Sequence, residues 1–167
     1  QPLYKVKVNI NNDEGKECDS IQKRIGFRQI EFKPNPNSSK EARPYTLVVN
    51  GKRIFMRGVN WVPLSPFYGE VTKEEYKKYL KRFKNMNCNL LRIWGGAILE
   101  KKAFYEVCDE LGLMVWQEFP QSSSGINNTP PDDPDLLNEL KQVAQVYITR
   151  KRHHASHIIW CGNNKTM

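Results

Sequence analysis

Two rhythms of apolar and polar residues divide this chain. Over residues 3–10, Leu-Tyr-Lys-Val-Lys-Val-Asn-Ile, apolar and polar side chains nearly alternate, the period of a half-buried strand. The polar run Asn11-Asn12-Asp13-Glu14-Gly15 carries turn residues, and Ile21 to Phe32 alternates again through Ile25, Phe27, Gln29 and Glu31. An isolated hairpin is marginal in water, so these two strands predict the tail of a β-sandwich. Residues 33–44 hold three prolines with Asn and Ser and predict a linker. The expected division is 1–32 for the sandwich strands, 33–44 for the linker and 45–167 for a second domain.

From Tyr45 the rhythm changes. Tyr45 to Val49 and Arg53 to Met56 flank Asn50-Gly51, a hairpin signal, and the second half is expected to run on into Gly58-Val59-Asn60-Trp61. Thr72 with Glu75 predicts a capping box, opening a helix to about Met86 whose apolar face is Tyr76, Tyr79, Leu80 and Phe83. Asn89 to Ile93 predicts a strand, Glu100 to Leu111 a helix stopped by Gly112, and Leu113 to Trp116 a strand. A Ser/Gly/Asn/Pro loop follows over 120–134, then a helix from Leu136 to His153 and a strand from His157 to Cys161. Apolar strands alternating with helices predict a parallel sheet. Four such strands are half of an eightfold β/α barrel. The chain's 167 residues fall short of the roughly 250 that a closed barrel takes.

Composition excludes little beyond this. No apolar run approaches the ~20 residues needed to span a bilayer, so no membrane partner is expected. The start, Gln1-Pro2-Leu3-Tyr4, shows no secretory leader and no initiating Met, as expected of a chain cut from a longer one. The formal charge of +8 could suit an anionic polymer. Its densest cluster, Arg150-Lys151-Arg152-His153-His154, ends a predicted helix, where cations complement the dipole, and lacks interleaved aromatics. Nucleic acid is therefore not an expected partner. Cys18, Cys88, Cys108 and Cys161 form no C-x-x-C pair. His153, His154 and His157 straddle a helix end and a strand start and are not read as a metal set. Neither metal nor cofactor is implied.

In such barrels the chemistry gathers at the C-terminal ends of the strands. Here those ends carry Asn60 and Trp61; Arg92, Trp94, Gly95 and Gly96; Gln117 and Glu118; then Asn163, Asn164 and Lys165. Indole faces pack against the C–H faces of a pyranose, and amides and carboxylates hold its hydroxyls. An oligosaccharide or glycoside is thus the expected partner. Arg92 reads equally as an interior ion-pair partner of Glu118. Trp61 reads as sugar platform or core, and Trp116, inside its strand, as core.

Arg92-Ile93-Trp94-Gly95-Gly96, Phe104 to Gly112 and Val115-Trp116-Gln117-Glu118-Phe119 resemble the β-mannosidases of glycoside hydrolase family 2 and their close relatives. Phe55 to Pro63 resembles that family's first barrel strand, Trp160 to Asn164 its fourth, and Arg24 to Arg28 the end of the immunoglobulin-like sandwich before the barrel. The resemblance implies a TIM barrel and retaining hydrolysis by two carboxylates ~5 Å apart. It implies that Asn164 holds the sugar's 2-hydroxyl, that Trp94 lines the terminal subsite and that the nucleophilic Glu comes from a later strand. Arg92, Glu118, Asn60 and Trp61 join them as candidate substrate contacts. Lys165 stands where the family has its acid/base Glu, and Ala97 and Leu99 stand where a Gly and a Tyr are usual. Two alternatives stay open: an inert carbohydrate-binding pseudoenzyme, or another family 2 activity such as β-galactosidase or exo-β-glucosaminidase. Exposed half-barrel edges lead to an expectation of self-association.

Overall fold

The computed structural model describes residues 2–122, 129–130 and 132–164. The chain begins with an antiparallel pair, β1 (Tyr4–Asn11) and β2 (Glu17–Ile25). Both strands are exposed along nearly their whole length. The expected second strand, Ile21 to Phe32, is broken: β2 ends at Ile25 and β3 (Ile30–Lys33) belongs to a different sheet. Three contacts with distant parts of the chain make the break. Phe27 packs its ring 5.5 Å from that of Tyr4, and Arg28 Nε donates to the His157 carbonyl at 3.0 Å. Gln29 N then donates to Asn50 Oδ1 at 2.7 Å, which enters the chain into the next sheet.

That sheet is antiparallel, in the order β3, β4 (Thr46–Val49), β5 (Lys52–Ile54). The proline-rich segment therefore connects two paired strands, with Lys33 opposite Thr46 and Ile30 opposite Val49. The Asn-Gly turn forms as its sequence dictates: both Asn50 (φ 49°) and Gly51 (φ 76°) are left-handed, which matches the twist of a hairpin. The hairpin does not run on. Asn89 captures the backbone beyond Ile54, accepting from Arg57 N at 2.8 Å and donating to the Phe55 carbonyl at 2.9 Å. The chain then enters β6 (Gly58–Trp61) in the third sheet.

The third sheet is the partial barrel: β6, β7 (Leu90–Ile93), β8 (Met114–Glu118) and β9 (His157–Cys161), all parallel and in sequence order, with β6 and β9 at its edges. Helices α1 (Lys73–Asn85), α2 (Lys102–Leu111) and α3 (Pro134–Lys151) connect them. The capping box at α1 is complete, Thr72 and Glu75 each bonding the other's backbone. Gly112 (φ 66°) ends α2 in the left-handed conformation that favours glycine. None of the described helices is long and apolar enough to cross a membrane.

Strand alternation decides which side chains meet the helices. Trp61, Leu91, Ile93 and Val115 face outward and are buried against Tyr76, Leu80, Phe104 and Tyr105. Each fully buried aliphatic of this layer is worth roughly 1.5–3 kcal/mol. The intervening residues, Asn60, Arg92, Trp116 and Ile159, are in register with one another and line the inner face.

Candidate functional site

Glu118 is the hub of the strand ends. Its side chain is fully buried, and β8 reaches it because the strand runs two residues beyond the expected end at Trp116. One carboxylate oxygen pairs with Arg92 of β7. The other accepts from Gly95 N at 2.7 Å. Asn164 Nδ2 lies 3.2 and 3.1 Å from the two oxygens. Arg92 Nη1 donates to Asn60 Oδ1 at 3.2 Å, and the guanidinium stands 5.5 Å over the Trp116 ring. A buried carboxylate is tolerated only when its charge and lone pairs are met, and here three elements meet them.

Asn164 is placed by backbone as well. Its N–H donates to the Gln121 carbonyl at 2.7 Å, and it forms an isolated parallel bridge with Ser122. With Nδ2 given to Glu118, its buried Oδ1 has no hydrogen-bond partner among the described residues. Trp94, beyond β7, donates from Nε1 to Ser122 Oγ at 3.0 Å and keeps 37% of its surface exposed. Asn60, Arg92, Glu118, Asn164, Ser122 and Trp94 thus form one continuous arc. On the inner face below it lies a depression of about 360 Å³ lined by Met56, Gly58, Asn60, Leu90, Arg92 and Trp116. Because Glu118 already accepts from a cation and two N–H donors, it holds its neighbours rather than serving as a free base.

Gly95 belongs to this arc for a steric reason. A β-carbon there would stand 2.5 Å from the Phe119 carbonyl oxygen and 3.2 Å from Glu118. Gly95→Ala is expected to push the loop away, weaken the bond to Glu118 and lower stability by about 1–3 kcal/mol, the usual range for overpacking. Urea denaturation measures it; a loss under 0.5 kcal/mol, in the range of ordinary surface changes, would contradict the close fit.

The sequence of residues 41–167 matches the family model "Glycosyl hydrolases family 2, TIM barrel domain". The chain belongs to glycosyl hydrolases family 2. Among curated relatives, Beta-mannosidase B of Thermothelomyces thermophilus is 35% identical over 99% of this chain, and Beta-mannosidase of Capra hircus is 33% identical over 99%. The chain spans 19% and 18% of those proteins' lengths. The crystal structure of Beta-D-Mannosidase from Dictyoglomus thermophilum superposes with a TM-score of 0.85 at 36% identity, over 97% of this chain and 19% of that one.

Within this family 2 barrel, the structure gathers five of the expected site residues: Arg92, Glu118, Asn60, Asn164 and Trp94. Arg92 and Glu118 form the interior ion pair that one reading of the sequence expected. Lys165 lies outside the described residues. Trp61 requires a correction: it does not line the site. It is 2% exposed, packs 5.0 Å from Phe104, and donates from Nε1 to Glu100 at 2.9 Å. Parity explains this, since adjacent strand residues face opposite ways and Asn60 already points inward. Trp116, expected in the core, is instead on the inner face under Arg92. Gln117 also turns outward, accepting from the Tyr105 hydroxyl at 2.6 Å. Ser122 was not foreseen, and its place in the Ser122-Ser123-Ser124 run gives no signal. Glu100 figures in the sequence only as the start of a predicted helix, although a lone carboxylate after Ile98-Leu99 is an unusual neighbour for an apolar layer.

Proposed function

We propose that this chain forms the sugar-holding part of the active site of a retaining exo-β-glycosidase acting on terminal β-mannosides. The observation that carries the reading is the Glu118-centred network. It fixes Asn164 directly before residue 165, where the family resemblance puts the acid/base, and ties it through Ser122 to Trp94. Similarity over nearly the whole chain to proteins named as beta-mannosidases supports the choice of sugar.

In this reading Trp94 stacks on the terminal sugar and Asn164 Oδ1 accepts its 2-hydroxyl. A Glu from a later strand attacks the anomeric carbon as the bond to the leaving oxygen breaks, and an acid protonates that oxygen. Water then attacks the glycosyl-enzyme, giving its proton to the same group acting as base. Lys165 does not suit the acid/base role. A lysine titrates near ~10.4, and an ammonium would face a developing oxocarbenium cation. The chain as it stands is therefore proposed to hold sugar without turnover.

The test uses the full-length protein containing this chain and 4-nitrophenyl β-mannoside. The expected result is binding with negligible hydrolysis, and a gain of about 10²–10⁴ in rate on Lys165→Glu, the usual contribution of a positioned acid/base. Absence of binding, or a preference for the β-galactoside or β-glucosaminide, would overturn the choice of substrate. Lys165 itself favours a second reading, an inert carbohydrate-binding protein on the same scaffold. Binding with no turnover even after Lys165→Glu would select that one.

A further inference from the structure

We infer that Glu100 is a positioning residue for sugar binding: its buried carboxylate clamps the Trp94–Leu99 loop to β6 and α1, and so sets where the Trp94 indole stands. This inference rests on the proposed role of Trp94 as a sugar platform.

Glu100 is only 3% exposed, beside the apolar layer behind the sheet. One carboxylate oxygen accepts from Trp61 Nε1 of β6 at 2.9 Å, and the other accepts from the Tyr76 hydroxyl of α1. Burial, then the bond to Glu100, pushes the Tyr76 hydroxyl well above its ordinary pKa, so it remains a donor throughout the working range. Lys151 of α3 supplies a counter-charge at longer range; its buried ammonium lies 4.1 Å from the centre of the Tyr105 ring and feels the field of Glu100. A buried carboxylate is rarely more stabilising than a hydrophobe of similar size. What it does that a leucine could not is grip two different elements at fixed distances.

The grip falls at one end of the loop that carries Trp94. Next to it, Lys101 Nζ donates to the carbonyls of Gly69 and Val71 at 2.9 and 2.8 Å, a second tie to the β6–α1 connection. At the other end Trp94 N donates to the Trp61 carbonyl at 3.2 Å, and Gly95 N bonds Glu118. Between these ties the indole lies folded over Gly96, where a β-carbon would come within 2.1 Å of its ring. The ring's position therefore follows the loop's course, which Glu100 and Lys101 hold at one end and the Trp94 and Gly95 N–H groups at the other, with Ser122 Oγ taking the indole N–H. Trp61, the indole that faces away from the site, takes part through its bond to Glu100.

The test compares the full-length protein with Glu100→Gln, Tyr76→Phe and Trp94→Ala. It reads acrylamide quenching of Trp94 fluorescence, isolated by subtracting a Trp94→Phe background, and the Kd for D-mannono-δ-lactone. Glu100→Gln is expected to raise the quenching constant at least twofold and weaken lactone binding about tenfold. Tyr76→Phe, which removes one donor and spares the fold if Glu100→Gln does not, is expected to move both in the same direction by less. Unchanged quenching and affinity in Tyr76→Phe and in folded Glu100→Gln would overturn the inference. Raised quenching with an affinity that even Trp94→Ala leaves unchanged would uphold the clamp and overturn Trp94 as a sugar platform. A purely structural Glu100 would lower the melting temperature and move neither readout.

Discussion

Glu118→Ala is expected to lower stability by about 3–5 kcal/mol, the usual result of stripping the partner from a buried ion pair. The loss has three parts in this protein. Arg92 is left with its guanidinium partly buried beside Trp116 and, among the described residues, with the amide oxygen of Asn60 as its remaining side-chain acceptor. Gly95 N loses the acceptor that holds the turn after β7. Asn164 loses both of its carboxylate contacts. Pairing the change with Arg92→Leu removes the stranded charge, so the double variant is expected to regain more than half of the loss. It should not regain the sugar affinity proposed for this site, because Asn164 remains unheld. Urea denaturation of the two single variants and the double variant completes the cycle. A single-variant loss below 1 kcal/mol would show that the hub carries little of the fold.

Acidification from pH 6.5 to 4 is expected to remove about 2–3 kcal/mol through His157 alone. This histidine is buried against Trp160, with ring centroids 4.0 Å apart, and faces Arg28 and His154. Burial first, then the charge of Arg28 and the neighbouring His154 ring, lowers its pKa from 6.5 to about 4. Between those values the unfolded chain binds the proton and the native chain does not, so stability falls as pH falls. Below about 4 both states carry the proton and this contribution is spent. His153, lowered to about 4 chiefly by burial, acts in the same direction from a more exposed position. His157→Phe, which cannot titrate, should flatten the stability profile between pH 4 and 6.5. An unchanged slope in that variant would assign the acid lability elsewhere.

Much of the fold was legible because local signals coincide with long-range ones. Thr72 with Glu75, Asn50-Gly51 and Gly112 each demand one backbone geometry, and each is found with it. The order of strands and helices from β6 onward follows from period alone. What failed was handover between sheets. Neither the break after Ile25 nor the capture of residues 55–57 by Asn89 leaves a mark in hydrophobic rhythm, because both depend on partners far along the chain. The site was legible as a set of residue types at strand ends, and its wiring was not. Parity would have sent Trp61 outward had it been applied to Asn60-Trp61 as a pair. That Glu118 would be shared by Arg92, Gly95 and Asn164 needed the three-dimensional register of four strands.

The same sharing has a temporal side. Arg92 and Gly95 precede Glu118 in the chain, whereas Asn164 follows it by 46 residues. At the ribosome's about 5–20 residues per second, Asn164 is made about 2–9 s after Glu118. In order of synthesis the cation and the turn N–H that meet this carboxylate come before it, and the amide proposed to meet a sugar comes last.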